Sequence, residues 1–234
     1  MKSILKIFNL WLFIALGAAA ITFNSCSKDD NKQTVAAEPI VSDSINGVWL
    51  NGIRWATRNV AQPGVFAARP EEAGMFYQWN SIIGWSATDP MIGWIPADSI
   101  IAPDANIEWD SNFPVGTVWE GVNDPSPEGW RMPTMDELSK LLDKNKISSE
   151  WATLKGVAGR VFTDKGTGAS LFLPAAGCRY YTNGMIHDAG LYGNYWSSTQ
   201  EDIYKAYFLN FYSGSMYKSQ RYRNNGFSVR CVAE

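Results

Sequence analysis

One histidine and three cysteines limit the covalent chemistry open to this 234-residue chain. His187 stands in the turn-like stretch Asn183-Gly184-Met185-Ile186-His187-Asp188. No Gly-x-Ser-x-Gly elbow occurs, so a serine–histidine–aspartate relay would have to run through this single residue. A lone loop histidine is more simply a surface residue. Cys26 ends an N-terminal apolar segment, which leaves Cys178 and Cys231 as the one pair for redox or nucleophilic work. In Phe227-Ser228-Val229-Arg230-Cys231 the period of two puts Cys231 on the face of Phe227 and Val229, the core face of a strand. That suits either a buried bridge to Cys178 or two separate buried thiols, and both stay open. A bridge closing so long a loop would add roughly 4 kcal/mol on the chain-entropy account. No residue is assigned as catalytic, and the chain is not expected to be an enzyme.

Binding chemistry is better supplied. Asp98, Asp104, Asn106, Glu108 and Asp110 fall within 13 residues, and Asn123-Asp124 follows. Hard oxygen donors of this kind suit calcium, with Asp104, Asn106, Glu108 and Asp110 as the candidate ligands. No EF-hand pattern accompanies them, so solvated acids and turn caps are the simpler reading and calcium the alternative; no other cofactor is expected. Trp79, Trp85, Trp94, Trp109 and Trp119 offer large apolar faces that stack on sugar rings or partner side chains, and they are the candidate ligand contacts. The same residues could equally pack the loop that carries them.

The elements that must position these groups are mostly short strands. Many aromatics separated by glycine and proline describe strands and long loops rather than a helical bundle. Strands are expected at Val48–Ala56, Gly159–Thr163, Ser170–Leu173, Tyr204–Tyr212, Met216–Tyr222 and Gly226–Val232. Tyr207, Leu209 and Phe211 share one face of the fourth, and Ser213-Gly214-Ser215 turns it into the fifth. One helix is signalled by Thr134 with Glu137 three residues on, a capping box behind Pro133. Met135, Leu138, Leu141 and Leu142 then share a face. Trp151 and Leu154 suggest a second, shorter helix after Ser148. The stretch Trp79–Trp119 holds five tryptophans and four prolines without a sustained period, and is expected as a long ordered loop.

Five segments, in order, carry a resemblance. They are Asn51-Gly52-Ile53-Arg54-Trp55-Ala56-Thr57-Arg58-Asn59-Val60, Pro127-Glu128-Gly129-Trp130-Arg131-Met132-Pro133-Thr134, Leu171-Phe172-Leu173-Pro174-Ala175-Ala176-Gly177, Tyr195-Trp196-Ser197-Ser198-Thr199 and Gly226-Phe227-Ser228-Val229-Arg230-Cys231-Val232. Over about residues 45–233 the chain resembles the Fibrobacter succinogenes major paralogous domain family of exported Bacteroidetes lipoproteins. That resemblance implies an α+β fold of C-type-lectin-like or formylglycine-generating-enzyme-like kind: a twisted antiparallel sheet, one or two helices and long ordered loops. It implies core positions for Trp130 and Trp196, and a sheet closed by Gly226–Val232. Relatives often carry a cysteine where this chain has Ser126. If that cysteine normally bridges to the Cys231 position, the partner is missing here, and Cys178 is the substitute.

The N-terminus suggests where such a domain works. Lys2 and Lys6 precede an apolar run to Phe23, and Ser25 stands before Cys26, so residues 1–25 are expected to be a lipoprotein signal peptide. A retained transmembrane helix would need roughly 20 predominantly apolar residues, and Leu10–Phe23 is shorter. Cys26 is then the lipid-attachment residue. Ser27-Lys28-Asp29-Asp30 resembles the signal that sends such lipoproteins to the outer face of the outer membrane. Residues 26–44 are expected as a polar tether and 45–234 as one domain. Cleavage leaves 18 basic against 23 acidic side chains, a formal charge of −5 that argues against nucleic acid as a partner. The basic run Lys218–Arg223 is expected as a solvated hairpin flank. The expected function is a non-catalytic, surface-anchored binding or adhesion module for glycan or protein. A structural subunit of a surface fibre is the alternative, and an enzyme related to the formylglycine generators is the third reading.

Overall fold

Pairs of residues with positive φ set the local topology. In the computed structural model, which describes residues 37–97, 100–104 and 107–234, Asn51 and Gly52 take φ of 47° and 76°. Two such residues in succession make a type I′ turn, whose twist matches a β-hairpin. The expected strand Val48–Ala56 is therefore two, β1 (Val48–Leu50) and β2 (Ile53–Trp55). The chain continues through β3 (Met75–Tyr77), β4 (Gly84–Ser86), β5 (Gly93–Ala97) and β6 (Ile100–Asp104), an antiparallel meander. Most of the expected loop Trp79–Trp119 is thus sheet and sheet connection. Its strands are three to five residues long, too short to display a period.

After β7 (Trp130–Arg131) comes α1 (Met135–Ser139), extended by a 3-10 turn over Lys140–Leu142. The capping box is formed: the Thr134 hydroxyl accepts from the Glu137 amide, and the Glu137 carboxylate accepts from the Thr134 amide. Met135, Leu138 and Leu141 are buried as expected. The second helix is not there. Residues around Trp151 and Leu154 form β8 (Ile147–Leu154), which pairs along its whole length with β9 (Val157–Asp164). A three-residue apolar spacing imitated a helix, but Lys155 and Gly156, at φ 48° and 85°, make a second type I′ turn.

β10 (Ser170–Pro174), β11 (Cys178–Arg179) and β12 (Ile186–His187) follow. A third meander is built by β13 (Gly193–Gln200), β14 (Lys205–Phe211) and β15 (Met216–Tyr222). The last stretch splits into β16 (Phe227–Ser228) and β17 (Val232–Ala233). Four sheets result: an eight-stranded one in the order β15-β14-β13-β16-β3-β4-β5-β6, a four-stranded one in the order β1-β2-β17-β7, the β10-β9-β8 meander and the β11-β12 pair. The α+β, C-type-lectin-like expectation is therefore corrected to a β-rich fold. Among the described residues, helix is confined to α1 and two 3-10 turns. Gly226–Val232 does not close one sheet; it links two, through Phe227 opposite Tyr77 and Val232 opposite Trp55 and Arg131.

The central strands of the large sheet are buried on both faces, because the period of two sorts their side chains into two cores. Tyr195, Leu209 and Phe211 join Trp55, Leu138, Phe162 and Leu173 in one. Trp196 and Phe208 join Tyr77, Trp79, Phe227, Val229 and Cys231 in the other. Gly193 is a glycine for steric reasons, since a Cβ there would stand 2.0 Å from the Phe211 ring. Among the described residues, 37–44 belong to the same compact unit as the rest. Val41 packs on Leu154, Val161 and Phe172, the Ser42 amide donates to the Ser170 carbonyl, and Glu38 pairs with Lys155 at 2.9 Å. Cys26, Asp98 and Asn106 lie outside the described residues. No helix among the described residues is long and apolar enough to cross a membrane.

Candidate functional site

The five candidate tryptophans are structural. Trp79 and Trp85 are buried, and Trp94 and Trp119 pack half-buried against the second core. Trp79 donates from Nε1 to the Ser197 carbonyl and takes Trp119 edge-on at 5.6 Å. Trp109 leans on Trp85 at 5.2 Å and donates to the Tyr181 carbonyl at 3.0 Å. Glu108 and Asp110 are exposed, and Asp110 caps the turn at Asn112 through its Oδ1. Asp124 holds the Ser126 and Met132 amides. Among the described residues no three His, Cys, Asp or Glu side chains are grouped as a metal site. Asp104 lies on β6.

Tyrosines, not tryptophans, line the main cavity. It has a volume of about 500 Å³, within the usual range of small-ligand pockets. Its floor is one face of β13, β14 and β15. Tyr217 stands opposite Asn210, and Asn210 opposite Asn194, so the three form one row across the strands; Ser219 and Phe208 form the next. The walls come from the β11–β12 hairpin and the turn after it, which contribute Cys178, Tyr180, Tyr181, His187, Asp188 and Tyr192. Tyr222, Arg221, Asn225 and Phe227 complete the lining.

The amide row has a defined polarity. The Asn194 Nδ2 donates to the Gly177 carbonyl at 3.0 Å, which turns its Oδ1 to accept from the Asn210 Nδ2 at 2.8 Å. The Asn210 Oδ1 is left with no donor from the protein. Rings meet around the rim: His187 on Tyr180 at 5.0 Å, Tyr180 on Tyr181 at 4.6 Å, Tyr181 on Tyr222 at 5.1 Å. Tyr180 beside it raises the Tyr181 phenol above its ordinary value, so that this phenol stays protonated at neutral pH.

Buried polar groups hold these walls. Arg179, 1% exposed, donates to the carbonyls of Ser86, Thr88 and Gly184 and so ties the β11–β12 turn to the β4–β5 connection. Gly184 sits in that turn at φ +66°, where a Cβ would strike the Met91 sulfur and the Trp109 ring. Arg223, also 1% exposed, lies 4.0 Å over Trp79 and donates to the Ile203 and Gly116 carbonyls. Arg179 thereby fixes the hairpin that walls the cavity, and Arg223 ties the turn before β14 to the loop at Gly116. A second, more open cleft of about 540 Å³ lies by Arg69, Glu71, Glu72 and Lys155. Its charges are engaged with each other or with Glu38, which leaves little for a ligand.

Cys178 and His187 stand directly opposite across β11 and β12, the nearest approach to a nucleophile and base in this chain. No hydrogen bond joins them. Burial, reinforced by Asp188, pushes the Cys178 thiol up to about 12, so it is protonated at neutral pH and a poor nucleophile. Burial raises the Cys231 thiol as well, and that thiol donates to the Ser126 hydroxyl at 3.1 Å. Both cysteines are free. The bridge that the sequence left open is not formed: Cys178 faces the cavity while Cys231 is turned to Ser126.

The sequence model of the Lcl C-terminal domain matches residues 52–233, nearly the whole folded unit. The chain belongs to this family. Among curated proteins and solved structures, none matches it. In this Lcl C-terminal domain the five segments noted in the sequence serve mainly the core; Trp130 is only half-buried, and Phe227 alone among the named cavity residues belongs to them. Arg230 donates from Nε to the Asn59 Oδ1 at 2.9 Å and from a terminal nitrogen to the Ala56 carbonyl, and Asn59 donates to the Tyr195 hydroxyl. Tyr195 in turn donates to the Pro174 carbonyl. The cavity residues Tyr180, Tyr181, Tyr192, Asn194, Asn210, Tyr217 and Tyr222 fall outside those segments. The one sequence signal that could have found them was polar asparagine at two strand positions flanked by apolar ones.

Proposed function

We propose that this chain is a non-catalytic binding or adhesion module, and that its ligand, a glycan or a protein surface, is held in the tyrosine-lined cavity. The observation that carries this reading is the cavity's construction: uncharged phenol walls, an amide floor and loops pinned by buried arginines. Preorganised aromatic and amide groups bind without needing to be ordered first. The protonated, buried thiols support the absence of catalysis. We further propose that Cys26 carries a lipid, that Lys28-Asp29-Asp30 directs the domain to the outer face of an outer membrane, and that the domain is of the Fibrobacter paralogous kind among exported lipoproteins.

The test is a panel of glycans and purified surface proteins, probed with the full chain and with Tyr180→Ala/Tyr217→Ala. Both positions are solvent-exposed, so the variant folds. Binding should fall at least about tenfold in the variant, as expected for two aromatic contacts. Equal binding by both proteins would refute the cavity as the site. Cys26→Ser should move the protein from the membrane fraction to the soluble one.

A further inference from the structure

The rings at the cavity rim continue beyond it. Tyr222 meets Phe113 at 5.5 Å, and Phe113 meets Tyr204 at 5.0 Å. Together with His187, Tyr180 and Tyr181 they make a strip of six rings in contact, from the β11–β12 hairpin to the turn before β14. Phe113 and Tyr204 are 40% and 49% exposed, so this end of the strip is open to solvent.

Resting on the reading of the cavity as the binding site, the geometry points to an extended, uncharged polysaccharide as the ligand. One sugar sits in the cavity and the following ones lie along the strip toward Tyr204. Three observations carry this. The strip is longer than one sugar and continuous with the cavity. The amide row and Ser219 supply hydrogen-bonding groups beside the rings, which a hydroxyl-bearing ring uses and an apolar side chain does not. The charges close to the strip are balanced: Arg221 and Lys205 are offset by Asp188 and Asp202. A polyanion finds no net positive field there.

The strip is also preorganised. The Arg223 guanidinium holds the Ile203 carbonyl, next to Tyr204, and the Gly116 carbonyl in the loop of Phe113. The Asn224 Nδ2 adds a bond to the Ser111 carbonyl. Trp109 fixes Tyr181 from behind.

The experiment uses the full chain in a sugar-free polyoxyethylene detergent. It is titrated calorimetrically with neutral glucan, mannan, xylan, galactan and N-acetylglucosamine oligosaccharides, from disaccharide to hexasaccharide. At least one series should gain affinity by about tenfold with length, what one or two further aromatic contacts supply. That gain should be lost in Phe113→Ala/Tyr204→Ala and should change little with salt. Failure of every neutral series overturns the inference, and so does a gain that survives the double variant. Preference for sulfated or uronic-acid chains, with steep salt dependence, overturns it too. If a disaccharide or a protein binds through Tyr180 and Tyr217 without any gain with length, the extended ligand is refuted and the cavity stands. If no ligand depends on those two tyrosines, both readings fall.

Discussion

Cys231 is buried, faces the Ser126 hydroxyl at 3.1 Å and has no sulfur partner. Two residues placed so closely predict that Ser126→Cys will form a disulfide with Cys231 on mild oxidation. Non-reducing mass spectrometry checks this, and a Cys178–Cys231 bridge in its place would contradict the geometry. In the unaltered protein both thiols should resist iodoacetamide at pH 8 until denaturant is added, because burial keeps them protonated. A second residue-scale prediction concerns Glu137. Hydrogen bonding to Arg131, at 2.7 and 2.9 Å, and to Thr134 holds its carboxyl below its ordinary value. A depressed carboxyl stabilises the fold above its unfolded pKa, and that contribution is lost as pH falls through the folded one. Glu137→Gln should therefore cost about 1 kcal/mol at neutral pH, with the difference from the unaltered protein closing in acid. Urea unfolding at several pH values measures it. The capping box was legible because its residues are local. The neighbour of Cys231, 105 positions away, was indicated only by the family resemblance, through the cysteine that relatives carry at the Ser126 position.

β14, seven residues long, shows its alternation in the sequence, whereas β4 and β16 have three and two residues, and β8 and β13, eight residues each, were not read as strands. The turns at Asn51-Gly52 and Lys155-Gly156 determine their hairpins through backbone conformation. A hydrophobic period taken alone is blind to that, which is why β1 and β2 were merged and β8 was read as helix. The elements that matter most for the site are loops, and here the buried arginines do what metals or disulfides do elsewhere. Arg223 is desolvated, stacked on Trp79, and bonded to two loop carbonyls. Arg223→Ala should destabilise the protein by about 2–4 kcal/mol, since it removes both loop hydrogen bonds and leaves a gap beside Trp79. It should also weaken binding through Tyr204 and Phe113, a loss that Arg223→Lys repairs only in part because ammonium lacks the planar fork. Equal stability of Arg223→Ala and the unaltered chain would show that the loops hold themselves.

At the scale of the whole molecule, the segments that carry the family resemblance and those that line the cavity share only Phe227. Asn59, Tyr195 and Arg230 knot the N-terminal hairpin, the large sheet and the C-terminal strands together. This network was legible as motifs but not as a structure. Tyr180, Tyr217 and Tyr222 come together only because β11–β12 folds over the face of β14 and β15, an arrangement that no local pattern encodes. The tryptophans drew attention in the sequence because they are large; in the fold Trp79 and Trp85 are buried and the other three half-buried, and the exposed tyrosines are the proposed contact surface. The central claim is that ligand enters the tyrosine-lined cavity. Hydrogen exchange of the full chain, with and without the tightest-binding member of the glycan and protein panel, tests it most directly. Slowed exchange concentrated in residues 178–194 and 216–226 is the predicted result; protection confined to the cleft at Arg69, Glu71 and Lys155, with the cavity unchanged, would contradict it.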